Sequence, residues 1–291
     1  MTATRVTSAI TAMWARDNSV SPAADDRGRG YAPATPDRLA AFACAGELRE
    51  VYLTTPPAAF EGPVGAWFGQ ACRALQGAGV EVSAAGGDVA WLAEPGRYEW
   101  WLKGAGEAAD VDRVLLDVEP WSQPAWAADP AGAMRGYVTF LDTARAMSGG
   151  LPIDVAVPWW LAHEPYVDDD RPAGSAGSAG SAGSTMFDAV LARVDRVSIL
   201  AHSDHTRGPG GILAYSTRAV AACVDAGHGF VIAVETETPE AAGGASRTFF
   251  DEGPVALLRE SFFVREALAR EPGYRGVAVA HHRSWRRLLG V

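Results

Sequence analysis

Asp117 and Glu119 stand two residues apart in the run Leu115-Leu116-Asp117-Val118-Glu119-Pro120. On an extended strand, residues two apart point to one side, so these two carboxyl groups share a face. Charged groups in so apolar a run are costly unless they open onto a polar cleft. Two carboxylates held close repel, and the repulsion drives one pKa upward. The product is a carboxylic acid still protonated near neutral pH, the proton donor that glycoside hydrolysis requires. The competing reading is an ion pair with an arginine of the core.

Other polar and aromatic residues gather at the ends of apolar runs. Glu235 closes the run Phe230 to Thr236 and is read as a partner carboxylate, or as hydrogen-bonding support for an Arg or His. The chain holds ten tryptophans in 291 residues. Indole faces stack on the C–H faces of pyranose rings, and Trp14, Trp121, Trp159 and Trp285 all fall near run ends. Asp88, His202, Asp204 and His281 complete the candidate substrate-binding set. His202, Asp204, His205, His281 and His282 also raise the rival idea of a divalent metal. The first run, however, offers Trp14, Arg16 and Asp17 instead of the HxH pair of metal-dependent amidohydrolase barrels. No metal and no other cofactor is expected, and the histidines are read as hydrogen-bonding groups.

Eight elements must position these residues. Short apolar runs span Val6 to Trp14, Val51 to Thr55, Val80 to Ala85, Val114 to Glu119, Ile153 to Trp159, Val197 to His202, Phe230 to Thr236 and Gly276 to His282. Nearly continuous Val, Ile, Leu and Ala is the pattern of parallel strands buried on both faces. Between them lie segments of helical period: Val64 to Gln76, with Trp67, Phe68, Ala71, Cys72 and Leu75 on one stripe; Met134 to Met147, with Tyr137, Phe140, Leu141 and Ala144; and Val255 to Ala269, with Leu257, Leu258, Phe262 and Leu268. Eightfold alternation of strand and helix predicts one closed (β/α)₈ barrel over residues 1–291. An open doubly wound sheet is the alternative, but it usually carries a glycine-rich turn after its first strand. Residues 173–184 read AGSAGSAGSAGS, the composition of a flexible linker on the loop after the fifth strand.

Composition narrows the function. A net charge of −10, from 25 basic against 35 acidic residues, argues against a nucleic-acid partner. No apolar run is long enough to cross a membrane. The first residues lack the charged start, apolar stretch and cleavage site of a signal peptide, so a cytoplasmic location is expected unless a leader has been removed. Three scattered cysteines, Cys44, Cys72 and Cys223, form no CxxC pair and are read as small buried residues.

The stretch Asp112-Arg113-Val114-Leu115-Leu116-Asp117-Val118-Glu119 resembles the DxxDxDxE signature on the fourth strand of glycoside hydrolase family 18, the chitinases and their relatives. Asp112, Asp117 and Glu119 match, while Leu115 stands in place of the middle Asp. The resemblance implies that Glu119 is the general acid. It also implies that Asp117 orients the substrate's acetamido group and stabilises the cation formed from it. The chain is similar over nearly its whole length to a group of bacterial barrel proteins that resemble glycoside hydrolases. Met13-Trp14, Leu116-Asp117-Val118-Glu119-Pro120, Val234-Glu235-Thr236 followed by Thr248-Phe249-Phe250, and Ala280-His281-His282-Arg283-Ser284-Trp285 carry that likeness. The largest clan of retaining barrel glycosidases suggests a second mechanism, with an acid/base Glu on strand four and a nucleophile Glu on strand seven. Glu119 and Glu235 fit those positions, although Val118 stands where that clan usually has Asn. The first expectation is therefore a glycosidase-like enzyme on a saccharide or small-molecule substrate. A biosynthetic cyclase, dehydratase or isomerase on the same scaffold, and a non-catalytic sugar-binding barrel, are the alternatives.

Overall fold

A computed structural model describes residues 8–16, 34–56, 62–166 and 184–291. Eight strands close in sequence order into a barrel. They are β1 (Ile10–Ala15), β2 (Glu50–Thr54), β3 (Glu81–Gly86), β4 (Arg113–Leu116), β5 (Ile153–Pro158), β6 (Arg196–Leu200), β7 (Gly229–Val234) and β8 (Tyr274–Val279). Every pairing is parallel, including β8 with β1. The helices between them are α1 (Pro36–Ala45), α2 (Gly62–Gly77), α3 (Pro95–Ala108), α4 (Pro124–Ala128), α5 (Pro130–Met147), α6 (Met186–Leu191), α7 (Ile212–Ala226), α8 (Pro239–Ala242), α9 (Gly253–Leu268) and α10 (His282–Leu289). The barrel expected from the alternation is the observed architecture. Residues 173–183 of the Ala/Gly/Ser repeat lie outside the described residues.

Strand parity sorts the core into two layers. Outward residues such as Met13, Val51, Val82, Val114, Leu116, Val155 and Ile232 pack under the helices. Inward residues fill the lumen: Ala12, Trp14, Tyr52, Ala85, Leu115, Ala156, Val231, Ala233 and Ala278. The start of the strands carries a charged layer instead. Arg196 reaches Glu50 at 2.6 Å and Asp154 at 2.7 Å, and Arg113 reaches Asp154 at 2.7 Å. Ser83 Oγ donates to Glu50 Oε1 at 2.8 Å. Glu50 and Asp154 are almost fully buried, so each carboxylate must find a partner inside.

Three expectations change. The fourth strand ends at Leu116, so Asp117 and Glu119 lie just beyond it. The ladder nevertheless extends one step, because the Asp117 amide donates to the Gly86 carbonyl at 2.8 Å. Parity is kept through the run: Val114, Leu116 and Val118 face outward, Leu115 faces inward, and Asp117 and Glu119 follow Leu115. The second change is in α9, which buries Leu257, Glu260, Ser261, Val264 and Leu268 while Leu258 and Phe262 are exposed. A polar anchor turns that helix: Glu260 Oε2 accepts from the Thr206 amide at 2.9 Å, and its carbonyl accepts from Thr206 Oγ1 at 2.9 Å. The third is Cys44, which is exposed, whereas Cys72 and Cys223 are buried as expected.

Candidate active site

Barrel enzymes build their sites from the loops at the C-terminal ends of the strands. Here a cleft of about 440 Å³ opens there. Its described lining comes from β1 to β4 and the loops that follow them: Trp14 and Arg16, Thr54, residues 85–89, then Asp117, Glu119, Ser122 and Gln123. Trp14, Asp88, Asp117 and Glu119 were expected together and are brought together.

Local sequence explains how the two carboxyl groups are held. Pro120 starts a tight 3-10 turn, Pro120–Ser122, directly after Glu119. Proline suits that first position because its fixed φ fits and its missing N–H would have been unpaired. The turn swings Ser122 back, and its hydroxyl donates to Glu119 Oε2 at 2.9 Å. Asp117 accepts from Arg16 Nη2 at 2.8 Å. Burial pushes Asp117 above its ordinary pKa, and Arg16 pulls it partly back. Burial also pushes Glu119 up, the neighbouring Asp117 pushes it further, and Ser122 and Arg16 oppose the rise.

Gly87 permits this arrangement. A Cβ at that position would lie 2.0 Å from the Asp117 carbonyl oxygen. Gly86 is packed nearly as tightly, since a Cβ added there would fall within 2.7 Å of the Trp101 and Trp91 rings. Asp88 then caps the next short turn, Val89–Leu92, by accepting from the Ala90 amide at 2.9 Å. Trp14 forms the inner wall, tilted against Tyr52 with ring centroids 4.5 Å apart. Its buried Nε1 has no hydrogen-bond partner among the described residues, and the same is true of Tyr137 Oη and His202 Nε2.

The other expected residues fall outside the described lining. Glu235 is buried at the end of β7, where its Oε1 accepts from the amides of Thr236 at 2.6 Å and Glu237 at 2.9 Å. Burial raises its pKa, and those two amides and Arg16 oppose the rise. Burial, together with Arg247 and Arg16, pushes His202 down to about 4, so the ring is neutral at neutral pH. Asp204 bonds the neighbouring His205 ring, and His281 Nδ1 lies 3.8 Å from Glu237. Trp121 packs edge-on against Trp126, Trp160 and Tyr137. Trp159 stacks on Tyr215, centroids 4.4 Å apart. Trp285 is placed in a different region. The chain turns into α10 after β8, which buries Trp285 edge-on to Phe42 in a separate apolar pocket with Ile10 and Leu258. Among the described residues, no group of three or more His, Cys, Asp or Glu suits a metal ion. No described helix is long and apolar enough to cross a membrane.

Arg16 lines the cleft and bonds Asp117, although sequence reasoning named it at the first run's end without placing it in the site. Its signal was parity, because Ala12 and Trp14 face the lumen and Arg16 continues that register one step past the strand. Gly87 and Ser122 left a weaker trace, a glycine pair at one run end and a hydroxyl three residues after a carboxylate. Tyr137 left none beyond its place on an apolar stripe.

No family model and no curated protein matches the sequence. Solved structures do match in shape. The PgaB (BpsB) glycoside hydrolase domain from Bordetella bronchiseptica superposes with a TM-score of 0.53 at 14% identity, covering 94% of this chain and 93% of that one. The spore cortex-lytic enzyme SleL of Bacillus cereus gives 0.53 at 10% identity, covering 97% and 74%. A class V chitinase mutant from Cycas revoluta, solved in complex with (GlcNAc)3, gives 0.54 at 12% identity and covers 97% of both chains. At these identities the likeness is one of fold: the chain is a (β/α)₈ barrel similar in shape to barrels of glycoside hydrolases.

Proposed function

We propose that this chain is an acid/base enzyme of glycosidase type acting on a saccharide, with Glu119 as general acid and Asp117 as its partner carboxylate. The observation that carries this reading is a carboxyl group pushed up in pKa by burial and by a second carboxylate, with both opening onto one cleft at the C-terminal end of the barrel. Asp117 suits the partner role better than Glu235. It shares the cleft with Glu119, whereas one Glu235 oxygen is already taken by two backbone amides. Asp117 and Glu119 sit on one stretch of chain and cannot attack opposite faces of one sugar. The pair therefore fits catalysis in which the substrate's own acetamido group attacks, as the fourth-strand resemblance implies. The (GlcNAc)3 bound by the Cycas revoluta chitinase makes N-acetylglucosamine oligomers the first substrates to try.

The test is turnover of such oligomers, and of chromogenic glycosides, by the wild type and by Glu119→Gln. Loss of one positioned acid should lower kcat by roughly 10²- to 10⁴-fold, with an unchanged thermal melt. A variant that keeps near-normal turnover would show that Glu119 is not the acid. The cleft volume supports one second reading. About 440 Å³ lies toward the small end of ligand sites, which span about 300–1,000 Å³. That size also suits a small-molecule cyclase, dehydratase or isomerase using the same acid, the reading favoured if no glycoside is cleaved.

A further inference from the structure

We propose that Arg16 is a positioning residue of this site: its guanidinium holds Asp117 as the carboxylate and so leaves the site's proton on Glu119. The proposal rests on the reading of Glu119 as the acid. Arg16 lies on the lumen register of β1, two residues beyond Trp14, and reaches across the cleft to the segment after β4. Nη2 meets Asp117 Oδ2 at 2.8 Å, with the arginine side chain 44% exposed and the aspartate 15%. Glu119 is held differently, by the neutral hydroxyl of Ser122. One carboxyl is thus bonded to a cation and the other to a neutral donor. That asymmetry decides which of two adjacent acids ionises first.

The groups facing Asp117 leave this task to Arg16. From its own segment comes Glu119, a like charge. From α5 comes the Tyr137 phenol, which burial, and after it the two carboxyl groups, hold above its ordinary pKa. From the loop after β3 comes Asp88, on the same cleft. Below lies Leu115, fully buried and uncharged. Among the described residues facing Asp117, the compensating positive charge is Arg16. Its field also reaches Glu235 at the end of β7 and His202 at the end of β6. It favours the ionised form of the first and the neutral form of the second. An opposite charge at this range favours a carboxylate by about one to three pH units. Without it, two crowded carboxyl groups over an apolar floor would share a proton, and the donor would no longer be assigned to one residue.

The experiment is a site-resolved ¹³C-carboxyl NMR titration of the free protein. Asp117 and Glu119 signals are assigned by their loss in Asp117→Asn and Glu119→Gln. In the wild type, Asp117 should titrate below Glu119. In Arg16→Gln the Asp117 midpoint should rise by about one pH unit or more and converge on that of Glu119. Arg16→Lys should restore the order. An Asp117 midpoint unmoved in Arg16→Gln overturns the proposal, as does a wild type in which Asp117 titrates above Glu119, or a folded lysine variant that fails to restore the order. The readout needs no substrate. If Glu119→Gln retains turnover, the assignment of the acid fails separately, while the effect of Arg16 is judged on the titration itself.

Discussion

At the scale of single residues, Gly87 has a larger role than a residue without a side chain suggests. Its backbone lies against the Asp117 carbonyl, and an added Cβ would fall 2.0 Å from that oxygen. No L residue fits without moving one of the two segments. Gly87→Ala should therefore displace Asp117 and weaken its bond to Arg16, lowering kcat at least tenfold. The stability cost should be that of ordinary overpacking, about 1–3 kcal/mol. Paired kinetics and urea melts check this: full activity together with an unchanged midpoint would show that the loop yields freely. The residue scale is also where the sequence was most and least informative. Asp117 and Glu119 were legible because carboxylates two apart in an apolar run have few inexpensive placements. Trp285 was not, because an indole near a run end gives no sign of whether the chain continues as a loop or turns into a helix. Arg16 was visible as a residue, but its partner stands 101 positions away, and nothing local points across that gap.

At the scale of elements, legibility followed packing. The buried stripes of α2 and α5 were readable because the most apolar arc of each helix is the arc that meets the sheet. α9 departs from that pattern. Its amphipathic signal is blurred by apolar residues on both sides, and the tie between Glu260 and Thr206 selects the face. The two adjacent leucines of α9 therefore make a controlled comparison. Leu257→Ala should cost about 2–5 kcal/mol, as for a filled core site. Leu258→Ala, at a side chain 52% exposed, should stay within about 0.5 kcal/mol. Chemical denaturation of the two variants measures the difference, and equal losses would contradict the observed face. Strand ends were less legible than strand centres, because β4 gives up its regular geometry at Leu116 while its register continues through the Asp117 amide. The existence and order of the eight strands were readable throughout, since parallel strands covered on both faces have to be apolar along their length.

At the scale of the whole molecule, the barrel is charged at one end of its lumen and opens as a cleft at the other. The charged end predicts a pH dependence of stability. Burial pushes Glu50 up to about 7, with Asp154 and Glu81 adding to the rise and Arg196 opposing it. A carboxyl whose folded pKa lies above its unfolded value binds more protons when folded. Stability from this group is therefore complete below the unfolded value and is lost as pH climbs from about 4.5 to about 7. The loss is on the order of 3 kcal/mol, and Glu50→Gln should flatten it. Urea midpoints from pH 4 to 8 report the slope, and parallel profiles for the two proteins would remove Glu50 as the cause. The cleft end has a different asymmetry, since the cleft's described lining is drawn from the first four strands and their loops. The acid pair and its arginine, as proposed above, thereby all lie in the first half of the chain. Loops after the fifth to eighth strands can lengthen, shorten or drift in sequence while the acid pair and its arginine stay in place. On the function proposed above, such a barrel can acquire a new substrate range by changing one half of its coding sequence and leaving the other under constraint.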